Sequence, residues 1–424
     1  ILPPDPPFAT FVQKLPLSPN AAAYFWLIPC IKTKPKSMLQ FFKYVLATMV
    51  GIILLQLLAL LLFFGVVAAF SSDEKVTVAD NSVLKLDLDK PIVDQAPEDN
   101  PFADFGGPFF QATEGVGLIQ LRRVLANAKA DPHIKGIYLQ AGVPQSGWAT
   151  IEEVRDALLD FRKSGKFVYT YGELMSEKGY YLSSAADRIY LNPAGGVEFN
   201  GISAEYQFFK GTLDKLEIKP LIFRVGTYKS AVEPFFRTDM SEESKAQTRS
   251  FLSSIHNHVL GDIAQSRGLT VPYLMGLKDS LKVTTPHSAL KYKLVTHVNY
   301  YDEFESDLRK TLKINDADKK IEFISLDKYD KADDVVKEEG DRKNRIAVVL
   351  TSGEIISGKG GDGQIGSEKV VSELRKLRKD KAVKAVVLRI DSPGGSALAS
   401  DVIWREVMKT RESKPVIASM GDYA

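Results

Sequence analysis

Between residues 44 and 72 the chain carries no charged side chain, and Gln56 is the one strongly polar group there. A run of that length exceeds the ~20 residues an α-helix needs to cross a bilayer. In lipid every backbone polar group must be satisfied internally, so a helix is the only single-segment solution. The stretch therefore reads as a transmembrane anchor over 44–72. A cleaved signal peptide competes through the small residues Val67, Ala68 and Ala69, but its apolar core would run to only about 7–15 residues. Lys32, Lys34, Lys36 and Lys43 precede the span, whereas Asp73 and Glu74 follow it. Positive charge stays inside, which places residues 1–43 in the cytoplasm and everything after Ser72 outside. The proline-rich, aperiodic residues 1–37 read as an extension upstream of Met38.

Downstream the pattern alternates between β-rich runs at 82–88, 134–139, 167–171 and 188–191 and helical periodicity at 118–130 and 151–163. Strands separated by helices of this length predict parallel βαβ units, hence an α/β fold. A first domain is expected over 76–330. A connector follows at 331–344, dense in charge (KADDVVKEEGDRKN), and then a second domain over 345–424. In that second domain strands are expected at 346–350, 383–390 and 416–420, helices at 368–379 and 398–411, and a glycine-rich loop at 357–366.

The second domain restates the first. Sliding the sequence by 249 residues without a gap aligns 117–175 with 366–424 and makes nine positions identical, among them Asp131/Asp380, Lys135/Lys384, Pro144/Pro393 and Gly172/Gly421. The strands and helices fall in the same register, so the chain reads as an internal duplication.

Composition removes several function classes. A net charge of +2 over 424 residues gives no footprint for a nucleic acid or an acidic polymer. Cys30 is the only cysteine, so no disulfide or thiolate metal site lies downstream of it. His256 and His258 stand two apart in a helical stretch and point away from each other, so they do not make a metal pair. Neither metal nor cofactor is expected.

The chemistry-bearing segment is AVVLRIDSPGGSAL. Here a buried strand runs into Asp391-Ser392-Pro393-Gly394-Gly395 and a helix follows. Two glycines at a strand-to-helix turn leave backbone N–H groups open, and the helix dipole favours negative charge there, which suits an oxyanion hole. The plainer reading is a tight turn that needs positive φ, with Ser396 as the helix cap. The first copy has Val143-Pro144-Gln145-Ser146-Gly147 at this place, without the paired glycines. A purely structural requirement would have been shared by both copies.

DSPGG, the run GTYKSAVEPF at 226–235 and ALKYKLVTHVNYYDEF at 289–304 together resemble the signal peptide peptidase A (protease IV) family, long duplicated type. The resemblance implies two tandem Clp/crotonase-like domains, the second incomplete here. It also implies a bacterial inner-membrane serine endopeptidase that uses a Ser–Lys dyad on remnant signal peptides and other apolar peptides, as a homo-oligomer. By the resemblance Lys229 is the general base and Gly394 and Gly395 form the oxyanion hole. The family's serine falls five residues after the position of Gly421, beyond Ala424. In the first copy that register position is Glu177, followed by Lys178 and Gly179.

A free lysine has a pKa of ~10.4, so a lysine base needs an apolar pocket that disfavours its charged form. Phe223, Val225, Val232 and the Pro234-Phe235-Phe236 cluster flank Lys229 and are the expected walls. Two alternatives remain. A catalytically inactive membrane-anchored scaffold fits the lack of a nucleophile, since Ser392 or Ser396 within the turn would compete with the oxyanion site. A crotonase-type acyl-CoA enzyme is disfavoured by the outward topology.

Overall fold

The computed structural model describes residues 38–70, 76–96, 115–316, 318–332, 340–361 and 363–424. The extension at 1–37 and the stretch 333–339 of the charged connector lie outside the described residues. The chain divides into two compact units, 1–74 and 75–424.

In the first unit the helix Met38–Phe70 covers residues 44–70 of the uncharged run. Within it Gln40–Gly65 has a mean hydropathy of 2.7 and is long and apolar enough to cross a membrane. Between residues 40 and 64 its leucines, isoleucines and phenylalanines face outward all round rather than forming one stripe, as a lipid-exposed helix requires.

The second unit is α/β, as the strand–helix alternation predicts. Its larger sheet has six parallel strands in the order His297–Val298, Arg188–Val197, Phe167–Met175, Ile134–Gln140, Ser82–Asp87, Phe323–Ser325. Both faces are covered, so successive residues such as Val83 and Leu84 are both buried although they point to opposite sides of the sheet. One face packs Leu84, Leu86, Ile137 and Val168 against Leu121, Leu125, Val154 and Leu158 of the helices Leu118–Ala130 and Trp148–Arg162. The other sets Tyr138, Tyr169, Tyr171 and Tyr190 beneath Phe304 and Leu308 of the helix Tyr301–Thr311. Each such fully buried side chain contributes about 1.5–3 kcal/mol.

A three-stranded parallel sheet, Val416–Met420, Val383–Asp391, Arg345–Ser352, makes the core of the later segment. Val349, Val386 and Leu388 pack there on Val370 and Leu374 of the helix Ser367–Lys379. Several elements of the later segment lie 249 residues after elements of similar kind in the earlier one. Leu118–Ala130 recurs as Ser367–Lys379, and Trp148–Arg162 as Ala397–Arg411, each pair equal in length. Ile134–Gln140 and Val383–Asp391 start at the same offset, as do Phe167–Met175 and Val416–Met420. Each segment also carries a small parallel ribbon: Ile92 pairs with Val116 in the earlier one, and Ile355 with Ile365 in the later one.

Candidate active site

The glycine turn sits where the strand Val383–Asp391 hands over to the helix Ala397–Arg411. Ser396 caps that helix by accepting the N–H of Ala399 at 3.3 Å. Gly394 adopts φ +104°, a conformation that favours glycine. Gly395 approaches Ile355 so closely that a Cβ on it would lie 2.1 Å from the Ile355 carbonyl oxygen. That approach is fixed on both sides: the Ile355 N–H donates to the Gly394 carbonyl (2.9 Å), and the Ser396 N–H to the Ile355 carbonyl (2.8 Å).

Of the two N–H groups in question, that of Gly394 is already engaged. It donates to Ser392 Oγ at 3.1 Å, and the Ser392 hydroxyl donates to the Gly353 carbonyl at 2.7 Å. The expectation that both glycine N–H groups are open is therefore corrected for Gly394. Among the described residues the Gly395 N–H has no acceptor. Ser392 is buried and committed to the turn, so its hydroxyl is not presented to an incoming carbonyl. An oxyanion would have to replace the Ser392 hydroxyl as the acceptor of the Gly394 N–H.

In the first copy the same place is closed. Ser146, at the register position of Gly395, turns its side chain onto Ile92, which holds in the first ribbon the place of Ile355 in the second. Its Oγ accepts the Ile92 N–H at 2.8 Å and donates to the Ile92 carbonyl at 3.2 Å. A side chain thus does in the first copy what backbone does in the second. The asymmetry therefore has a structural reason of its own, which corrects the expectation that a purely structural glycine would be needed at both places.

Glu177 heads the helix Glu177–Ser183 behind the cap Ser176. Its carboxylate accepts the N–H groups of Asn200 (3.2 Å) and Gly201 (3.1 Å), and burial pushes its pKa up. Gly179 lets this helix rest on the end of the strand Ile134–Gln140, since a Cβ there would lie 2.1 Å from the Gly142 carbonyl oxygen.

Lys229 lies in a turn whose N–H reaches back to the Gly226 carbonyl at 3.4 Å. Its side chain is exposed. Of the expected pocket walls, Phe223 and Val225 are each 91% exposed, and Phe235 is exposed as well. The pocket read from the flanking residues is therefore not formed by them. Residues 218–225 have no regular structure, and in such a chain neighbours in sequence need not close on one another. His256 and His258, in the helix Glu242–Arg267, go to separate partners, Lys278 and Glu152, each at 2.8 Å.

Two residues close to the turn escaped the sequence reading. Arg389, two residues before Asp391, is buried and reaches Asp94 at 3.2 Å and Glu153 at 2.5 Å. Asp422, just after Gly421, accepts the N–H groups of Gly147 and Thr150 at 2.8 and 3.0 Å. The available signals were an arginine inside an apolar strand and a helix starting at Gly147, which has no capping side chain of its own.

Residues 160–315 match the family described as Peptidase family S49. The chain is 34% identical over 383 residues to protease 4 of Haemophilus influenzae, which covers 87% of this chain and 62% of that one. To protease 4 of Salmonella typhi it is 33% identical over 357 residues, covering 80% and 56% respectively. To the chloroplastic serine protease SPPA of Arabidopsis thaliana it is 32% identical over 314 residues, covering 73% and 46%. The chain thus spans roughly half to three-fifths of the length of the curated relatives it matches. Among solved structures, the 1510-N membrane-bound stomatin-specific protease is similar with a TM-score of 0.31 at 13% identity, over 58% of this chain and 98% of that one.

Proposed function

Because the chain carries a region of peptidase family S49 at residues 160–315, we propose that it belongs to a membrane-anchored serine endopeptidase that cleaves apolar peptides, remnant signal peptides among them. The observation that carries this reading is the glycine turn. Gly395 must lack a side chain to lie against Ile355, and its N–H points to no protein acceptor among the described residues. A peptide carbonyl oxygen that becomes negative in the transition state is the group such a donor serves. In this reading the Gly394 N–H is the second donor, released when Ser392 Oγ gives way to the oxyanion.

Lys229 is the general base, and the nucleophile is a serine five residues after Gly421. The serine hydroxyl gives its proton to the lysine amine as its oxygen adds to the peptide carbonyl. The C–N bond then breaks as the lysine ammonium returns that proton to the leaving amine, and water hydrolyses the resulting ester, restoring the serine. The 249-residue register supports descent of the two halves from one duplicated unit, in which the first kept the base and closed its turn with Ser146. The helix Met38–Phe70 is the anchor, with the later residues on the extracytoplasmic side of the bacterial inner membrane.

The exposure of Lys229 bears on assembly. A lysine base needs an apolar cover, and Leu221, Phe223 and Val225 stand out from the surface at 84%, 91% and 91% exposure. A second copy laid on this segment supplies the cover, which supports a homo-oligomer.

The test is hydrolysis of a fluorogenic apolar peptide by the complete gene product. Lys229→Ala should lower kcat by on the order of 10³-fold or more with melting unchanged. Lys229→Arg should do the same, because a guanidinium does not give up its proton. Turnover in the arginine variant would remove lysine from the mechanism. An inactive wild type with a serine-reactive probe unbound would favour the scaffold reading.

A further inference from the structure

We propose that Asp422 is a positioning residue. It fixes the glycine turn and the segment leading to the nucleophile against the first half of the molecule, using the N-terminus of the helix Trp148–Arg162 as its anchor. The proposal rests on the peptidase reading above and adds to it a residue outside the dyad and the oxyanion hole.

The geometry is specific. One Asp422 oxygen takes the Gly147 N–H at 2.8 Å and the Thr150 hydroxyl at 2.8 Å, and the other takes the Thr150 N–H at 3.0 Å. These are capping bonds to the first turn of a helix whose own N-cap is Gly147, with no side-chain cap bond. The equivalent helix of the second half, Ala397–Arg411, is capped locally by Ser396. A first-half helix is therefore capped from 272 residues away, by a residue set between Gly421 and Tyr423. That segment is tied to the turn: the Tyr423 N–H donates to the Asp391 carboxylate at 2.8 Å, and the Ser392 N–H to the Tyr423 carbonyl at 2.7 Å. A displacement of Asp422 is thus passed directly to Ser392, and through Ser392 Oγ to the Gly394 N–H.

A second tie lands on the same helix. Arg389 Nη1 meets Glu153 in the second turn of that helix, while its Nε meets Asp94. Arg389 Nη1 also donates to Ser419 Oγ at 3.0 Å and to the Met420 carbonyl at 3.2 Å, which locks together the two strands that lead into the site. The turn is held from both strands onto one helix end, and of the two anchors Asp422 is nearer the chemistry. Charge at a helix N-terminus adds to the hold.

A residue that only stabilised the fold would be replaceable by any other cap, and this separates the two roles. In the complete gene product, Asp422→Ala should lower both the melting temperature and kcat. Combining Gly147→Ser with Asp422→Gly gives the helix a local cap, since residue 147 has extended dihedrals of φ −74° and ψ 174° and loss of the whole Asp422 side chain removes the Cγ and Cβ that would lie 2.2 and 2.6 Å from a Cβ there. The double variant should regain the melting temperature but keep kcat at least 10-fold down with KM unchanged. Recovery of kcat along with melting overturns the proposal. If the double variant does not fold, Asp422→Asn, which keeps one acceptor, should still lower kcat several-fold at constant KM, and wild-type kcat there overturns it. A wild type that cleaves nothing fails at the earlier reading instead, so the two failures are distinguishable.

Discussion

Gly395 and Ile355 are in backbone contact tight enough that a Cβ on the glycine would lie 2.1 Å from the isoleucine carbonyl oxygen. The first copy relates Ser146 to Ile92 by a side-chain bond at the same register position. Exchanging the two solutions tests their independence. Gly395→Ser should force the turn away from Ile355, at about 1–3 kcal/mol of local strain. With an oxyanion donor displaced, kcat should fall by roughly 10²–10³. Urea unfolding and peptide hydrolysis measure the two effects, and wild-type kcat in the serine variant would remove Gly395 from the oxyanion hole.

The alternation of strands and helices was legible because both periodicities are local. The glycine turn was legible because two adjacent glycines at the end of a buried strand break its pattern and mark a turn. What stayed hidden is long-range. The bonds of Asp422 to Gly147 and of Arg389 to Asp94 join residues 275 and 295 apart, and no local pattern announces them. The surroundings of Lys229 were misread for a related reason. Leu221, Phe223 and Val225 are alternate residues of an irregular segment, and all project outward instead of folding over the lysine.

That exposed segment gives the second prediction. Phe223→Ser and Val225→Ser remove side chains with little contact to their own chain, so melting should not change. If a second copy covers them, each loss should weaken association by about 10-fold or more, from ~1.5–3 kcal/mol of burial. Activity should fall with dilution in step with dissociation. Sedimentation velocity alongside peptide hydrolysis reads both, and unchanged assembly with unchanged activity would refute the cover.

Arg389 is predicted to matter most for stability. Its guanidinium is buried between Asp94 and Glu153, and Arg389→Met leaves the Asp94 carboxylate without its partner in a closed site. Removing one member of a buried pair costs about 3–5 kcal/mol. Adding Asp94→Asn removes the stranded charge and should restore part of the loss in denaturant melts. Additive losses in the double variant would show that the two residues do not interact.

Glu177 gives a pH prediction whose sign follows from burial. Desolvation is the largest influence on its carboxyl and raises its pKa above the ordinary value, against the Asn200 and Gly201 N–H groups, which favour the anion. The unfolded chain therefore loses this proton at a lower pH than the folded one does. Stability from this group is complete below the unfolded pKa, about 4.3, and is lost as pH rises through the raised folded value. Glu177→Gln keeps an oxygen for both N–H donors and removes the titration. Relative to wild type, the glutamine variant should gain stability between pH 4 and pH 7, most steeply just above the unfolded value. Urea midpoints at several pH values test this. A constant offset between the two curves would mean that the carboxyl is not titrating differently in the folded and unfolded chains, and a relative loss for the variant on going to pH 7 would mean that Lys278 and the two N–H donors outweigh burial.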